Sequence, residues 1–359
     1  MLRRYLFLLP CLLLCGLFTG GSALAQAQGA KAWLGLIAGP ATASETVLAA
    51  DMASLVRPSA NLRVTPMLGD GGAGNLALLL DDPHVDIAFV STDALADAVA
   101  KQRGLAGKLE LVARLAPQEI HVLARADIGS LAGLSGKQVN FGLAGSASAV
   151  TATAMFKALG ITVKPVSLDA PSAIEQLKQG AISASVIVGG KPSPLVAAIP
   201  ASSGIHLLAV SFGAQLEAAY LPTRLLPQDY PNLIQAGGGI GTVATGMVLL
   251  AAKAKSDPAS SERVSRFVNA VFPRFAELQA QGRHPKWREV NLAASLPGFA
   301  RARAAAAFLG EPAVEPAKPM PAKASVSRPP ALAENLALSK EQKESLFKRF
   351  IEWQHSKLP

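Results

Sequence analysis

From Ala32 to about Ala252, short runs of aliphatic and β-branched residues alternate with longer stretches in which apolar positions return at helical spacing. The short runs read as strands at Trp33–Ala38, Leu62–Leu68, Asp86–Val90, Leu109–Leu115, Ile120–Ala124, Gln138–Leu143, Val163–Leu168, Ala184–Val188, Ile205–Val210 and Thr242–Leu250. Strands separated by helices build βα units, so the pattern predicts an α/β fold with mainly parallel sheets. Thr46–Val56 carries Leu48, Met52 and Leu55 on one helical face. Ser148–Leu159 carries Val150, Ala154, Met155 and Leu159 before Gly160, which suits a left-handed cap. Asp257-Pro258 reads as the N-cap and first residue of a long helix that ends before Gly282 and is kinked by Pro273.

The two ends follow other rules. Arg3 and Arg4 precede an apolar run from Tyr5 to Phe18, and Ala23-Leu24-Ala25 follows, so residues 1–25 read as a secretory signal peptide and the mature chain as periplasmic. The apolar run is too short for a membrane-spanning anchor. Both cysteines, Cys11 and Cys15, fall inside it, which leaves the mature chain without thiol chemistry or disulfides. Leu14 stands where a lipid-anchored Cys15 would need a small neighbour. Over residues 311–330, six of twenty positions are proline and no apolar period exists, the composition of a semi-rigid linker. Residues 331–359 form a helical tail: Ser339 and Gln342 make a capping box before Leu346, Phe350 and Trp353 at helical spacing.

The 359 residues exceed what one hydrophobic core usually fills, which predicts two lobes. With 50% hydrophobic and 16% charged residues the chain is not mainly disordered. The net charge of +9 is scattered, without basic runs interleaved with aromatics, which argues against nucleic acid as a partner. His84, His121, His206, His284 and His355 are too dispersed for zinc spacing, so neither a metal nor a cofactor is expected.

Candidate chemistry sits in the loops that follow strands. Gly69-Asp70-Gly71-Gly72-Ala73-Gly74 satisfies a dinucleotide-binding spacing, but Pro66 in the preceding strand and its second place in the series argue against that use. What remains is a glycine turn at Gly72 and Asn75 whose N–H groups could hold a polar ligand, or a tight turn with none. Gly145-Ser146-Ala147-Ser148 opens a helix and could cradle a small anion, serve as an ordinary cap, or present Ser146 as a nucleophile that lacks a G-x-S-x-G elbow. Ser91-Thr92-Asp93 and Gly190-Lys191-Pro192 follow apolar strands, where open α/β sheets bind ligands. Asp93 could equally be an N-cap and Lys191 a solvated side chain.

In order and spacing these loops resemble the TAXI family of solute-binding subunits of TRAP transporters. The resemblance spans about Leu34 to Leu309 and rests on Ile37–Thr46, Met67–Leu80, Asp86–Asp93, Gly142–Val150, Val188–Pro194 and Leu226–Leu233; Arg283–Ala294 resembles one subgroup. It implies a two-lobed type II periplasmic binding protein fold, with lobe 1 at residues 31–125 plus 243–309 and lobe 2 at 126–242. The chain crossings would lie near His121–Arg125 and Gly241–Val243. Thr42, Ser44 and Glu45 would then join Ser91–Asp93, Gly145–Ser148 and Gly190–Pro192 around one interlobe cleft. Two departures bear on the ligand. Ser44-Glu45-Thr46 stands where many members carry an aromatic pair, and Ala147-Ser148-Ala149 where many carry Gly-Thr-Arg.

The expected function is a non-enzymatic, monomeric receptor for a small organic anion, a carboxylate or an amino acid, delivered to a TRAP-type membrane permease after hinge closure. Glu45 and Lys191 could pair with the two charges of a zwitterion. The competing readings are a periplasmic sensor or adaptor acting through the tail, and a secreted hydrolase using Ser146.

Overall fold

The computed structural model describes residues 32–57, 60–253, 255 and 257–312. The residues read as a signal peptide, with both cysteines, nearly all of those read as a proline-rich linker and those read as a helical tail lie outside the described residues.

The chain begins as parallel βα units. Strand β1 (Ala32–Ile37) leads into α1 (Ser44–Leu55), β2 (Leu62–Met67) into α2 (Ala73–Asp81) and β3 (Ile87–Ser91) into α3 (Thr92–Lys101), with β1 pairing in parallel to both β2 and β3. In β3, Ile87 and Phe89 face one core, with α1 and Trp287, while Ala88 and Val90 face another, with α2 and α3. Helices covering both faces explain why Ile87–Val90 is apolar throughout rather than alternating.

The two predicted strands at Leu109–Leu115 and Ile120–Ala124 are one 17-residue strand, β4 (Leu109–Arg125). Beyond it come β5 (Gln138–Asn140), α4 (Ala147–Ala158), β6 (Lys164–Val166), α5 (Ala170–Lys178), β7 (Ala184–Gly189), α6 (Pro194–Ala197), β8 (Ile205–Leu208), β9 (Leu221–Leu225) and β10 (Ile240–Ala252). Helices α7 (Ser260–Val271), α8 (Phe275–Leu278) and α9 (Arg303–Leu309) follow.

The outcome is a mixed α/β, two-lobed type II fold on one continuous path of strands, β2-β1-β3-β10-β4-β7-β5-β6, with β8 on β4 and β9 on β10. This corrects the expectation of two mainly parallel sheets. The βα pairings β1–β2, β1–β3, β5–β6 and β5–β7 are parallel, but every pairing made by β4 and β10 is antiparallel. These two strands cross between lobes and run against the units on either side. Their cores change along their length. Leu111–Ala116 of β4 and Met247–Ala252 of β10 pack with β1 to β3, whereas Ile120–Ala124 and Val243 pack with β5, β7 and β8.

Between the two cores the β4–β10 register slips: Gln118 faces Thr245 while Leu115 faces Met247, so β4 carries an extra residue opposite Gly246. A bulge here accommodates Pro117, which has no N–H for a ladder. Farther on, the predicted long helix starts at Ser260 rather than Pro258, with the Asp257 carboxylate accepting from Ala259 N at 2.9 Å. At Pro273 it breaks into a 3-10 turn, Phe272–Arg274, before α8.

Candidate functional site

The N-terminal turns of α1, α2, α3 and α4 meet where the two lobes face each other, and backbone groups close much of the seam directly. Ala147 N donates to Asp70 O at 3.1 Å and Gly74 N to Gly145 O at 3.4 Å. A Cβ at Gly72 would stand 2.5 Å from both Ala147 N and Gly145 O, so the glycine run permits a close approach of α2 to α4. Farther along, Thr151 Oγ1 donates to Asp93 Oδ2 at 2.5 Å, and Tyr220 Oη donates to the same oxygen at 3.5 Å. On the other side of the cleft, Gly190 N donates to Ser44 Oγ at 2.7 Å, and Ser44 Oγ donates to Glu45 Oε2 at 3.1 Å.

Between these seams lies a cavity of about 180 Å³. Its lobe 1 wall includes Thr42, Ser44, Glu45 and Asp70; its lobe 2 wall includes Ser146, Ala147, Ser148 and Asp169. Leu143, Leu168, Val186, Ile187 and Leu195 supply apolar surface. Among the described residues, no Lys, Arg or His lines it.

Two backbone donors of the α4 turn, Ala147 N and Ala149 N, are taken, whereas the Ser146 and Ser148 hydroxyls accept and keep their O–H groups. Ser146 Oγ accepts from Ala149 N at 3.1 Å as the N-cap, Ala147 N is spent on Asp70 O, and Ser148 Oγ accepts from Val188 N at 3.0 Å. Acceptors are plentiful. Glu45 is 2% exposed, and burial, opposed by hydrogen bonds from its own backbone N–H and from Ser44, pushes its carboxyl up to about 7. Burial also raises Asp70, although the N–H groups of Gly72 and Asn75 oppose it. Asp169 caps α5, and hydrogen bonds from Ser172 N and Oγ hold it below the usual carboxylate range.

The remaining expected residues do not line the cavity. Asn75 is a buried staple: Nδ2 donates to Ala38 O at 2.5 Å and Phe89 O at 2.9 Å, and Oδ1 accepts from Asp70 N. Ser91 is fully buried in β3. Thr92 Oγ1 accepts from Gly246 N at 3.1 Å, beside the crossing-strand bulge. Asp93, Gly72 and Gly145 belong to the seam. Gly190 packs against Ser44 and Lys286, Pro192 O lies 3.4 Å from His284 Nε2, and Lys191 Nζ turns away to Arg224 O at 2.5 Å and Asp229 at 3.9 Å. Lys191 is therefore not placed to share a zwitterion with Glu45.

Asp70, Asn140, Asp169 and Ser193 line the cavity without having been singled out. Asp169-Ala170-Pro171 does carry a legible cap-then-proline signal. Asp70 was hidden inside a glycine run read for its backbone, and Asn140 inside a strand, where its Oδ1 accepts from Gly142 N and Leu168 N.

The profile of the NMT1-like family matches residues 38–303. Solved structures similar to this chain include an ancestral arginine-binding protein bound to arginine, at 16% identity and a TM-score of 0.43, covering 73% of this chain and 98% of that one. The periplasmic binding protein BugD is similar at 15% identity and a TM-score of 0.45, covering 78% and 92%. The alkanesulfonate-binding protein SsuA from Xanthomonas axonopodis pv. citri, bound to MOPS, is similar at 15% and 0.42, covering 74% and 85%. Among the described residues, no helix is long and apolar enough to cross a membrane.

Proposed function

Because this chain belongs to the NMT1-like family, whose profile covers most of its length, we propose that it is a periplasmic receptor that captures a small solute by closure of its two lobes. The observation that carries this is the cavity itself: it is small, built from both lobes, and shut by hydrogen bonds that exist only when the lobes meet. A solute that touches both walls favours the closed state through its differential affinity for the two states. The hinge of this reading is the β4–β10 crossing between Ala116 and Ile120 and between Val243 and Met247. Those strands are common to both lobes and carry the bulge.

Delivery to a TRAP-type permease, membership of the TAXI group and export by residues 1–25 complete the proposal and are supported by the order of the loops and the leader pattern. Of the two ligand classes the loops suggested, an amino-bearing solute suits the lining better than a plain organic anion, because acidic side chains and no basic ones line the cavity. Among the described residues, Ser146, engaged as a helix cap, has no hydrogen bond to a histidine base.

The test is a thermal-unfolding screen of the chain from Gln26 against amino acids, amines, carboxylates and inorganic anions. A ligand at about one hundred times its dissociation constant adds roughly 2.7 kcal/mol, a rise of several degrees. A flat panel on protein stripped of bound solute would reject the receptor reading for these classes.

A further inference from the structure

Resting on the receptor reading, we infer that Glu45 is the specificity residue of the cavity and that the solute presents it with a protonated primary amine. Three features of the site point the same way. First, Glu45 is almost wholly buried, yet among the described residues its Oε2 accepts only from Ser44 and no cation pairs with it. The carboxyl lies among the backbones of Gly39, Gly71 and Gly189, at the meeting of both lobes and on the cavity wall. A buried carboxyl without a full set of partners is costly, and an ammonium group supplies both charge and donors.

Second, the charged groups around it are of one sign. Asp70 stands on the α2 loop and Asp169 across the cavity on α5. Lys286, packed behind Gly190, is fully buried and held by Glu119 at 2.7 Å and Glu289 at 2.8 Å, and Lys191 is turned to Arg224 O and Asp229. His284 faces Pro192 O on the far side of that loop. An anion would enter a field of carboxylates.

Third, the α4 turn offers an anion fewer backbone donors than its position suggests, because Ala147 N is spent on Asp70 O and Ala149 N on Ser146 Oγ. The Ser146 and Ser148 hydroxyls on the wall keep their O–H groups as donors, so the solute can carry a carboxylate beside the amine that meets Glu45. The size of about 180 Å³, below the roughly 300 Å³ where drug-sized ligand sites begin, confines it to a compact molecule. The apolar wall of Leu143, Leu168 and Ile187 accommodates a short alkyl portion.

The experiment is calorimetric titration of solute-free protein with matched pairs that differ only in the amine: alanine against lactate, glycine against glycolate, and ethanolamine against ethylene glycol. Each pair is measured at pH 6 and pH 8, on wild type and Glu45→Gln. The expected result is binding of amine members at least tenfold tighter than their oxygen counterparts. Their affinity should rise about tenfold from pH 6 to pH 8 as the carboxyl near 7 ionises. Glu45→Gln, shown folded by its unfolding midpoint, should weaken amine binding by tenfold or more at pH 8 and abolish the pH dependence.

If alanine alone binds and ethanolamine does not, the solute is an amino acid; if both bind, a simple amine suffices. The inference is overturned if lactate or glycolate matches its amine partner, or if Glu45→Gln leaves amine affinity unchanged. Binding of the oxygen members alone overturns it while leaving the receptor intact. If no member binds, the inference also falls. The receptor reading is then judged separately, by mass spectrometry of small molecules released from protein isolated from the periplasm.

Discussion

Replacing Gly72 by alanine should hold the lobes apart without damaging either. The added Cβ would stand 2.5 Å from Ala147 N, 2.5 Å from Gly145 O and 2.6 Å from Ser146 C, all backbone atoms of the opposite lobe. Ordinary contact needs about 3.5 Å, so the α2 and α4 turns must retreat by roughly 1 Å. That retreat stretches the Ala147 N to Asp70 O bond from 3.1 Å and the Gly74 N to Gly145 O bond from 3.4 Å beyond hydrogen-bonding range. Two such bonds are worth about 1 kcal/mol each, and displaced packing adds a similar amount, for a total of about 2–3 kcal/mol against the closed state. The shift corresponds to roughly 30- to 150-fold in the closed-to-open ratio, and to a proportionate loss of apparent affinity once the open state dominates.

Spin labels at Leu78→Cys on α2 and Lys157→Cys on α4 report the distance between lobes in the chain from Gln26, which omits the only native cysteines, Cys11 and Cys15. Gly72→Ala should lengthen and broaden that distance in solute-free protein while the unfolding midpoint falls by no more than a few degrees. An unchanged distance distribution together with unchanged affinity would refute the seam as the element that closes the cleft.

Further outcomes follow from the buried charges. Asp86, fully buried, accepts from Arg263 at 2.6 and 3.0 Å, from Ser260 Oγ at 2.6 Å and from Gly35 N at 3.2 Å, so Asp86→Ala should cost about 3 kcal/mol in urea unfolding, because it leaves Arg263 with Asp257 alone and removes the acceptor of Ser260 and Gly35. Lys286→Met should cost about 3–5 kcal/mol by leaving Glu119 buried without its cation. The double variant Lys286→Met/Glu119→Gln should recover at least half of that; recovery of nothing would mean the pair is not the source. Burial raises the folded-state Glu45 carboxyl from 4.5 to about 7, so its contribution is fully present below about pH 4.5 and is lost as pH rises through about 7. The stability of wild type relative to Glu45→Gln should therefore fall by up to about 3 kcal/mol between pH 4.5 and pH 8 in solute-free protein; a difference that rises with pH would contradict the burial of that carboxyl. His121, buried against Tyr230 Oη at 2.7 Å and lowered to about 4 by burial, acts in the opposite sense, and stability should drop as pH falls from about 6.5 to 4.

Much of the fold was legible because buried elements write their burial into the sequence. Ile87–Val90 is apolar throughout, and Ala184–Val188 is so apart from Ser185, which is buried against Asn140, since helices cover both faces of each strand. Strand β9 left no such trace: Leu221, Pro222 and Arg224 are exposed on an edge, and only Leu225 is buried. Pro117 made β4 read as two strands, because a proline interrupts a ladder unless a bulge receives it, and the bulge depends on Gly246, more than a hundred residues away. At the site, the loops that meet could be picked out by position after a strand, but not the direction of their side chains. Lys191 and Ser148 look equally available in sequence; one turns to Arg224 and the other receives Val188 N only because of how β7 and α4 pack. The acidic character of the cavity was hidden because Glu45 and Asp70 come from separate loops of one lobe and Asp169 from the other, far apart in sequence.

The place of β10 has a consequence for how the chain is made. The strand lies between β3 and β4, pairing with β3 over Met247–Ala251 and with β4 over Ala244–Ala252, yet it is the last of the ten to be synthesised. Until residues 240–252 arrive, β3 and β4 have no strand between them, and the first lobe has two open edges where its middle should be. The whole of the second lobe can emerge before the first is able to complete its sheet. This order also means that a break anywhere before residue 240 leaves no autonomous first half, only an unclosed sheet prone to pair with its neighbours.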